Sequence, residues 1–239
     1  MVWGMALPDS YGQFFPGGDY VGWREGLLEY FKNEMPAERK ALFYSALAYP
    51  SYVSHKFTEE PDKEGSSEKP PFSPVEPHEA PKRFVLRKKY SSLSSLINTM
   101  NFIPAVDEPL KIIIEHFEPG VHRFFPLEIS MPSRENYQTY LENYPKRFFI
   151  LAIGQYIDSF SMAQSDPDSW KHNGPEHFQY KDDKKSMSGL ALSKQAFGSA
   201  HLWRERRMSM PLICFSDTLM AEINKAGLRL PKHYQLKEI

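Results

Sequence analysis

Histidines, one cysteine, paired carboxylates and clustered arginines are the side chains here that could do chemistry. His172 and His177 stand in a polar stretch with Asp166, Asp168, Glu176, Asp182 and Asp183. A zinc-like site needs three or four ligands converging at about 2 Å. A polar loop does not impose that convergence, so the stretch reads as solvated and without a metal. His116 and His122 flank Pro119-Gly120. His116 falls in the last turn of a helix, where a cation complements the dipole, and both read as structural. Cys214 lies in the apolar run Leu212-Ile213-Cys214-Phe215. A catalytic cysteine needs thiolate stabilisation and a base, and this one reads as core. Asp182 and Asp183 lie beside Lys184 and Lys185, a solvated charge run rather than a tuned acid–base pair. The stretch HLWRERRMSM gathers Arg204, Arg206 and Arg207 around Trp203. These residues suit a phosphate, an acidic partner or a protein hot spot. The competing reading is a solvated turn with Trp203 in the core. No Gly-rich phosphate loop, G-x-S-x-G elbow or H-E-x-x-H is present.

Composition bounds the setting of these groups. The chain has 239 residues, 29 Lys and Arg against 30 Asp and Glu, 20 Pro and a single Cys. That length buries a core without disulfides or structural metals. Near-neutral charge argues against a nucleic-acid coat, which rests on many phosphate contacts. No apolar run approaches the ~18 residues of a membrane helix, and the first residues lack the positive segment of a secretory signal. The expectation is a cytoplasmic protein with no cofactor and no nucleic-acid or membrane partner.

The elements that must position the candidate residues follow from spacing and punctuation. Residues 1–58 read as a turn-rich aromatic lead and then helices. Trp23, Leu27, Tyr30 and Phe31 mark the first helix. Pro36 opens a second, with Leu42, Phe43 and Leu47 on its apolar side, and Pro50 ends it. Residues 59–82 hold six prolines and read as an exposed loop or linker. Pro71-Phe72-Ser73-Pro74 within it fits a loose peptide-recognition pattern. Residues 83–239 read as an α+β domain with a mixed, mainly antiparallel sheet. Phe84-Val85-Leu86 is a strand, Ser91 to Met100 a short helix, and Asp107 the N-cap of a helix ending at Pro119-Gly120. His122 to Ile129 is a strand, with Pro126 at an edge or bulge. A helix follows over Arg134 to Asn143. Lys146 to Ile157 is a central strand, and 166–185 is a loop excursion. Ala200 to Arg204 and Leu212 to Phe215 are strands. Ser216 or Asp217 caps a last helix, Gly227 closes it, and Tyr234 to Ile239 is an edge strand.

Three motifs, in this order, resemble the eleventh catalogued family of immunity proteins of bacterial polymorphic toxin systems. The first is PLKIIIEHFEPG running into VHRFFPLEI, which places His122, Phe124, Phe125 and Pro126. The second is FGSAHLWR, with Gly198, His201, Leu202, Trp203 and Arg204. The third is LICFSDTLMAEINKAGL, with Phe215, Ser216, Asp217, Ala226, Gly227 and Leu228. The family's Asn-rich, Asp-containing stretch after the FILAIG strand corresponds here only to Ile157-Asp158-Ser159. The resemblance covers roughly residues 84–239. It implies a non-enzymatic protein that binds and neutralises a cognate toxin domain, with the motif residues serving the scaffold. For a nuclease toxin the contacts would be acidic, making Asp166, Asp168, Glu176, Asp182 and Asp183 candidates, with Arg206 and Arg207 beside them. Two other readings stand. One is an enzyme using His122, His201, Asp217 or the arginine cluster, which requires them to converge in one cleft. The other is an adaptor that binds through the Pro-rich segment.

Overall fold

The structure is a computed structural model that describes residues 1–59, 73–132, 141–174, 177–208 and 212–239. The chain opens with β1 (Val2–Met5) and β2 (Gly18–Tyr20), then α1 (Trp23–Asn33), the single turn α2 (Ala37–Lys40) and α3 (Ala48–His55). Next come β3 (Arg83–Leu86), β4 (Leu96–Asn98), β5 (Pro104–Asp107), α4 (Glu108–Phe117) and β6 (Arg123–Pro132). β7 (Leu141–Asn143), β8 (Phe148–Ala152), β9 (Tyr156–Ile157), β10 (Trp170–His172) and β11 (Phe178–Tyr180) follow. The chain ends with α5 (Lys184–Ser188), β12 (Ala191–Leu192), α6 (Lys194–Phe197), β13 (Leu202–Glu205), β14 (Leu212–Ser216), α7 (Asp217–Lys225) and β15 (His233–Glu238).

These elements make the α+β fold that the sequence predicts, with two main sheets rather than one. One sheet runs β12-β15-β1-β14-β13-β9, and the other runs β2-β3-β6-β8-β5-β4 with β7 on β6. Most pairs are antiparallel; β3 with β6, β9 with β13 and β12 with β15 are parallel. The apolar runs lie where both faces are covered. In β14, Leu212 and Cys214 face a core shared with Trp203, Phe197 and the β10–β11 hairpin. Ile213 and Phe215 face a second core, which lies between the two sheets and includes α4 and α7. In β8, Leu151 joins that second core, while Phe148 and Ile150 face a third core built with α1 and α3. Burial on both faces explains continuous apolar runs with no polar alternation.

The helices around these sheets carry the predicted punctuation. Asp107 accepts from the Leu110 N–H at 3.2 Å and caps α4. Ser216 accepts from the Leu219 N–H at 3.2 Å and caps α7. At the other end of α7, Gly227 is left-handed with φ 66°. Its N–H donates to the Asn224 carbonyl and that of Leu228 to Ile223, the paired bonds of a Schellman ending. Pro126 pairs with Phe149 of β8, and β3 joins β6 only from Glu128 onward. The proline therefore sits where β6 is locally an edge.

Several elements differ from expectation, each for a packing reason. The lead is not only turns and helices: β1 lies between β14 and β15, with Val2 opposite Ser216 and Leu236. Pro50 does not end a helix but lies in the first turn of α3, where a missing N–H costs nothing. Leu42 and Leu47, expected on a buried side, are exposed in the turns between α2 and α3. Ser91 to Met100 is not a helix. Leu96–Asn98 is β4, whose Leu96 and Ile97 face different cores, so burial on both faces imitates helical spacing. Of the expected helix over 134–143, residues 134–140 lie outside the described residues, and Leu141–Asn143 is β7. Lys146 to Ile157 divides at Gly154 into β8 of one sheet and β9 of the other. The excursion over 166–185 contains the β10–β11 hairpin. β15 is not a free edge, since Lys237 and Glu238 pair with β12.

The Pro-rich stretch has a buried part as well. Residues 60–72, including Pro71 and Phe72 of the peptide-recognition pattern, lie outside the described residues. Residues 73–82 pack on the N-terminal helices instead of forming an exposed loop. Glu79 is fully buried and accepts from Lys56 Nζ, from the Tyr49 hydroxyl at 3.1 Å and from the Glu76 N–H at 2.8 Å. Burial pulls the Lys56 ammonium below its ordinary value. Trp23 Nε1 donates to the Glu79 carbonyl at 2.7 Å, and Arg123 to that of Val75 at 2.9 Å.

Candidate functional site

The motif histidines meet at a residue the sequence reading did not single out. Glu118 is the C-cap of α4, where the helix dipole disfavours a carboxylate. Both of its oxygens are occupied. Oε1 accepts from the Gln155 side chain at 2.5 Å and the His201 N–H at 2.7 Å. Oε2 accepts from His122 Nε2 at 2.6 Å and the Leu202 N–H at 3.0 Å. Burial raises the Glu118 carboxyl, but the His122 hydrogen bond and the other donors win and hold it below its ordinary value. One carboxylate thus ties α4 and the start of β6 to the β8–β9 crossing and to β13.

The neighbouring groups extend this joint. Gly154 donates its N–H to His122 Nδ1 at 3.1 Å, so His122 Nε2 carries the proton that goes to Glu118. A Cβ at Gly154 would lie 2.0 Å from the Val121 carbonyl oxygen, so only glycine fits the crossing. His201 Nδ1 lies 2.7 Å from the Ser216 hydroxyl. That hydroxyl also accepts from the Leu219 N–H at 3.2 Å. The His201 ring rests on Phe117 at 4.8 Å between centroids. Asp217 accepts from Trp3 Nε1 at 3.0 Å, which links α7 to β1.

The enzyme reading requires these residues to share a cleft. The structure brings His122, His201, Ser216 and Asp217 near one joint, but the His122 side chain is fully buried and that of Glu118 nearly so. Both imidazole nitrogens of His122 and both oxygens of Glu118 are in hydrogen bonds. The arrangement fastens elements together and leaves no group of this pair available to a substrate. Phe124 packs toward the inter-sheet core and Phe125 toward the core under the N-terminal helices. Gly198 closes α6 with φ 54°.

The arginine cluster does not form one patch. Trp203 is fully buried and stacks on Phe197 at 4.8 Å. Arg204 is buried too, donating to the Phe57 carbonyl at 2.9 Å and hydrogen-bonded to Tyr156. Burial pulls its guanidinium below the ordinary value. Arg206 is exposed and forks onto Asp158, while Arg207 lies over the Phe178 ring at 4.8 Å. Glu205 is buried and accepts from the Ser159 N–H at 2.9 Å and its hydroxyl at 2.5 Å. Burial pushes its carboxyl up to about 7 against these donors. Cys214 is fully buried, and burial pushes its thiol well above the ordinary value.

The acidic candidates occupy a face of mixed sign. Asp166, Asp168 and Asp183 line a groove of about 800 Å³ together with Lys171, Lys181 and Lys185. Asp166 pairs with Lys237 at 2.6 Å. Asp183 caps α5, accepting from the Ser186 N–H at 3.0 Å and its hydroxyl at 2.7 Å. Asp182 is exposed nearby, and Glu176 lies outside the described residues. His172 is exposed on β10. Among the described residues no group of three His, Cys, Asp or Glu side chains could hold a metal ion.

A family model described as an immunity protein family (Imm11) matches residues 50–235. That span holds Glu118, His122, Gly154, His201 and Ser216, and excludes β1 and α1. No curated protein matches the chain.

Proposed function

The chain belongs to the Imm11 immunity protein family, and from that premise we propose that it binds and neutralises one cognate toxin domain. The toxin would be encoded nearby in a polymorphic toxin system used in bacterial competition. Neutralisation would act by covering the toxin's active site or its path to substrate. The family match is the observation that carries this reading. The Glu118 joint supports it, because its chemistry is spent on holding a scaffold rigid, and a pre-formed surface binds without paying to order itself. We place the encounter in the cytoplasm, where a fold with a single cysteine needs no oxidising environment. Among the described residues no helix is long and apolar enough to cross a membrane. Co-expressing the neighbouring toxin with and without this chain tests the proposal. Survival only when the chain is present is expected; equal killing in both cultures overturns it.

A further inference from the structure

A second groove, of about 530 Å³, lies between the start of α1, α3 and the tip of the β4–β5 hairpin. Trp23, Leu47, Pro50 and Met100 give it apolar walls, and Arg24 lines it without any carboxylate among the described lining residues. Arg24 is exposed and has no ion pair among the described residues. The adjoining end of α1 is capped by Gly22, which offers no side chain to the first-turn N–H groups. That end therefore adds partial positive charge. Glu25, in the same turn, does not line the groove.

The hairpin tip carries an independent observation. Asn101 and Phe102 both have positive φ, 60° and 56°. A bulky residue adopts this left-handed backbone only at a cost, and Phe102 holds it within the five-residue turn Thr99–Ile103 between β4 and β5. The strained backbone holds the Phe102 ring 39% exposed, stacked on Phe15 at 5.5 Å. Leu47, which lines the groove, is 62% exposed. Tryptophan and arginine are enriched at protein hot spots, and Trp23 and Arg24 supply both to this groove. Trp23, Arg24 and Leu47 also lie outside the family-matched span. Arg24 and Leu47 are exposed, whereas Trp23 also anchors the Glu79 carbonyl.

We propose that this groove and the Phe102 tip are the surface on which the chain docks the toxin domain, through a toxin segment that presents an apolar side chain and a carboxylate facing Arg24. The proposal rests on the immunity reading. The test uses the full chain and the toxin domain encoded beside it, with affinity measured by calorimetry and folding followed by melting. Phe102→Gly relieves the strained turn and should leave Tm within about 4 °C, yet weaken binding at least about tenfold. Arg24→Glu should weaken binding similarly and remove part of its salt dependence. Asp168→Lys and Lys171→Glu, in the mixed-charge groove, should bind as the parent chain does. Parent-like affinity in both Phe102→Gly and Arg24→Glu overturns this surface while leaving the immunity reading intact. Loss confined to the Asp168 and Lys171 variants also overturns it, moving the contact to the other groove. A parent chain that fails to bind the toxin overturns the immunity reading and this surface together.

Discussion

Glu118 and Glu205 are both buried carboxyls, and their surroundings drive them in opposite directions. At Glu118 the imidazole of His122 and several donors outweigh burial and favour the charged form. The stability it contributes is present above the unfolded value near 4.5 and is lost as pH falls through the lower folded value. Glu118→Ala strands four donors around a buried site and should cost about 3–5 kcal/mol, read as a lower urea midpoint at pH 7. At Glu205 burial wins, so the folded form keeps its proton up to about pH 7. Its folded value is raised, so stability falls as pH rises from about 4.5 to about 7, by about 3 kcal/mol in total. Glu205→Gln carries no titrating proton and should remove that slope between pH 4.5 and 7. An unchanged slope would place its origin elsewhere. His122, His201, Ser216 and Asp217 were legible as motif residues. Glu118 was not, because its role depends on Leu202, 84 residues away. The available signal was a carboxylate at a helix end that repels it.

Helices α4 and α7 were legible because their information is local: an N-cap side chain, an apolar face and a terminating glycine. β8 and β14 were legible as buried runs. β4 was not, since Leu96 and Ile97 fill two different cores and erase the alternation that marks a strand. Gly154 shows the same limit at a crossing. Its neighbours read as one long strand, and only the Val121 carbonyl lying against it reveals that the chain changes sheets there. Gly154→Ala forces a backbone shift rather than a side-chain adjustment. We expect a loss of about 3 kcal/mol, lowering Tm by roughly 6–12 °C in a thermal melt. A melt indistinguishable from the parent would mean that the crossing tolerates a methyl group and that glycine is not required there.

The two sheets share one core, yet the one holding β13 and β14 is completed from the opposite end of the chain. β1 fills the gap between β14 and β15, and Val2 and Met5 bury their side chains on opposite faces of it. The Met1 amine reaches Glu238 at 2.9 Å, and Trp3 reaches Asp217. No local signal in the first residues announces this, because the partners lie more than 200 residues away. The consequence reaches beyond the family-matched span of residues 50–235. Deleting residues 1–6 leaves every matched residue in place but opens two strand edges and removes the three core side chains of Val2, Met5 and Ala6. Unpaired edges invite association with other chains. The shortened chain should lose its near-UV circular dichroism, melt without a cooperative transition and sediment as aggregates. A cooperative melt within a few degrees of the full chain, in a monomer, would show instead that β14 and β15 close on each other and that the first strand is dispensable.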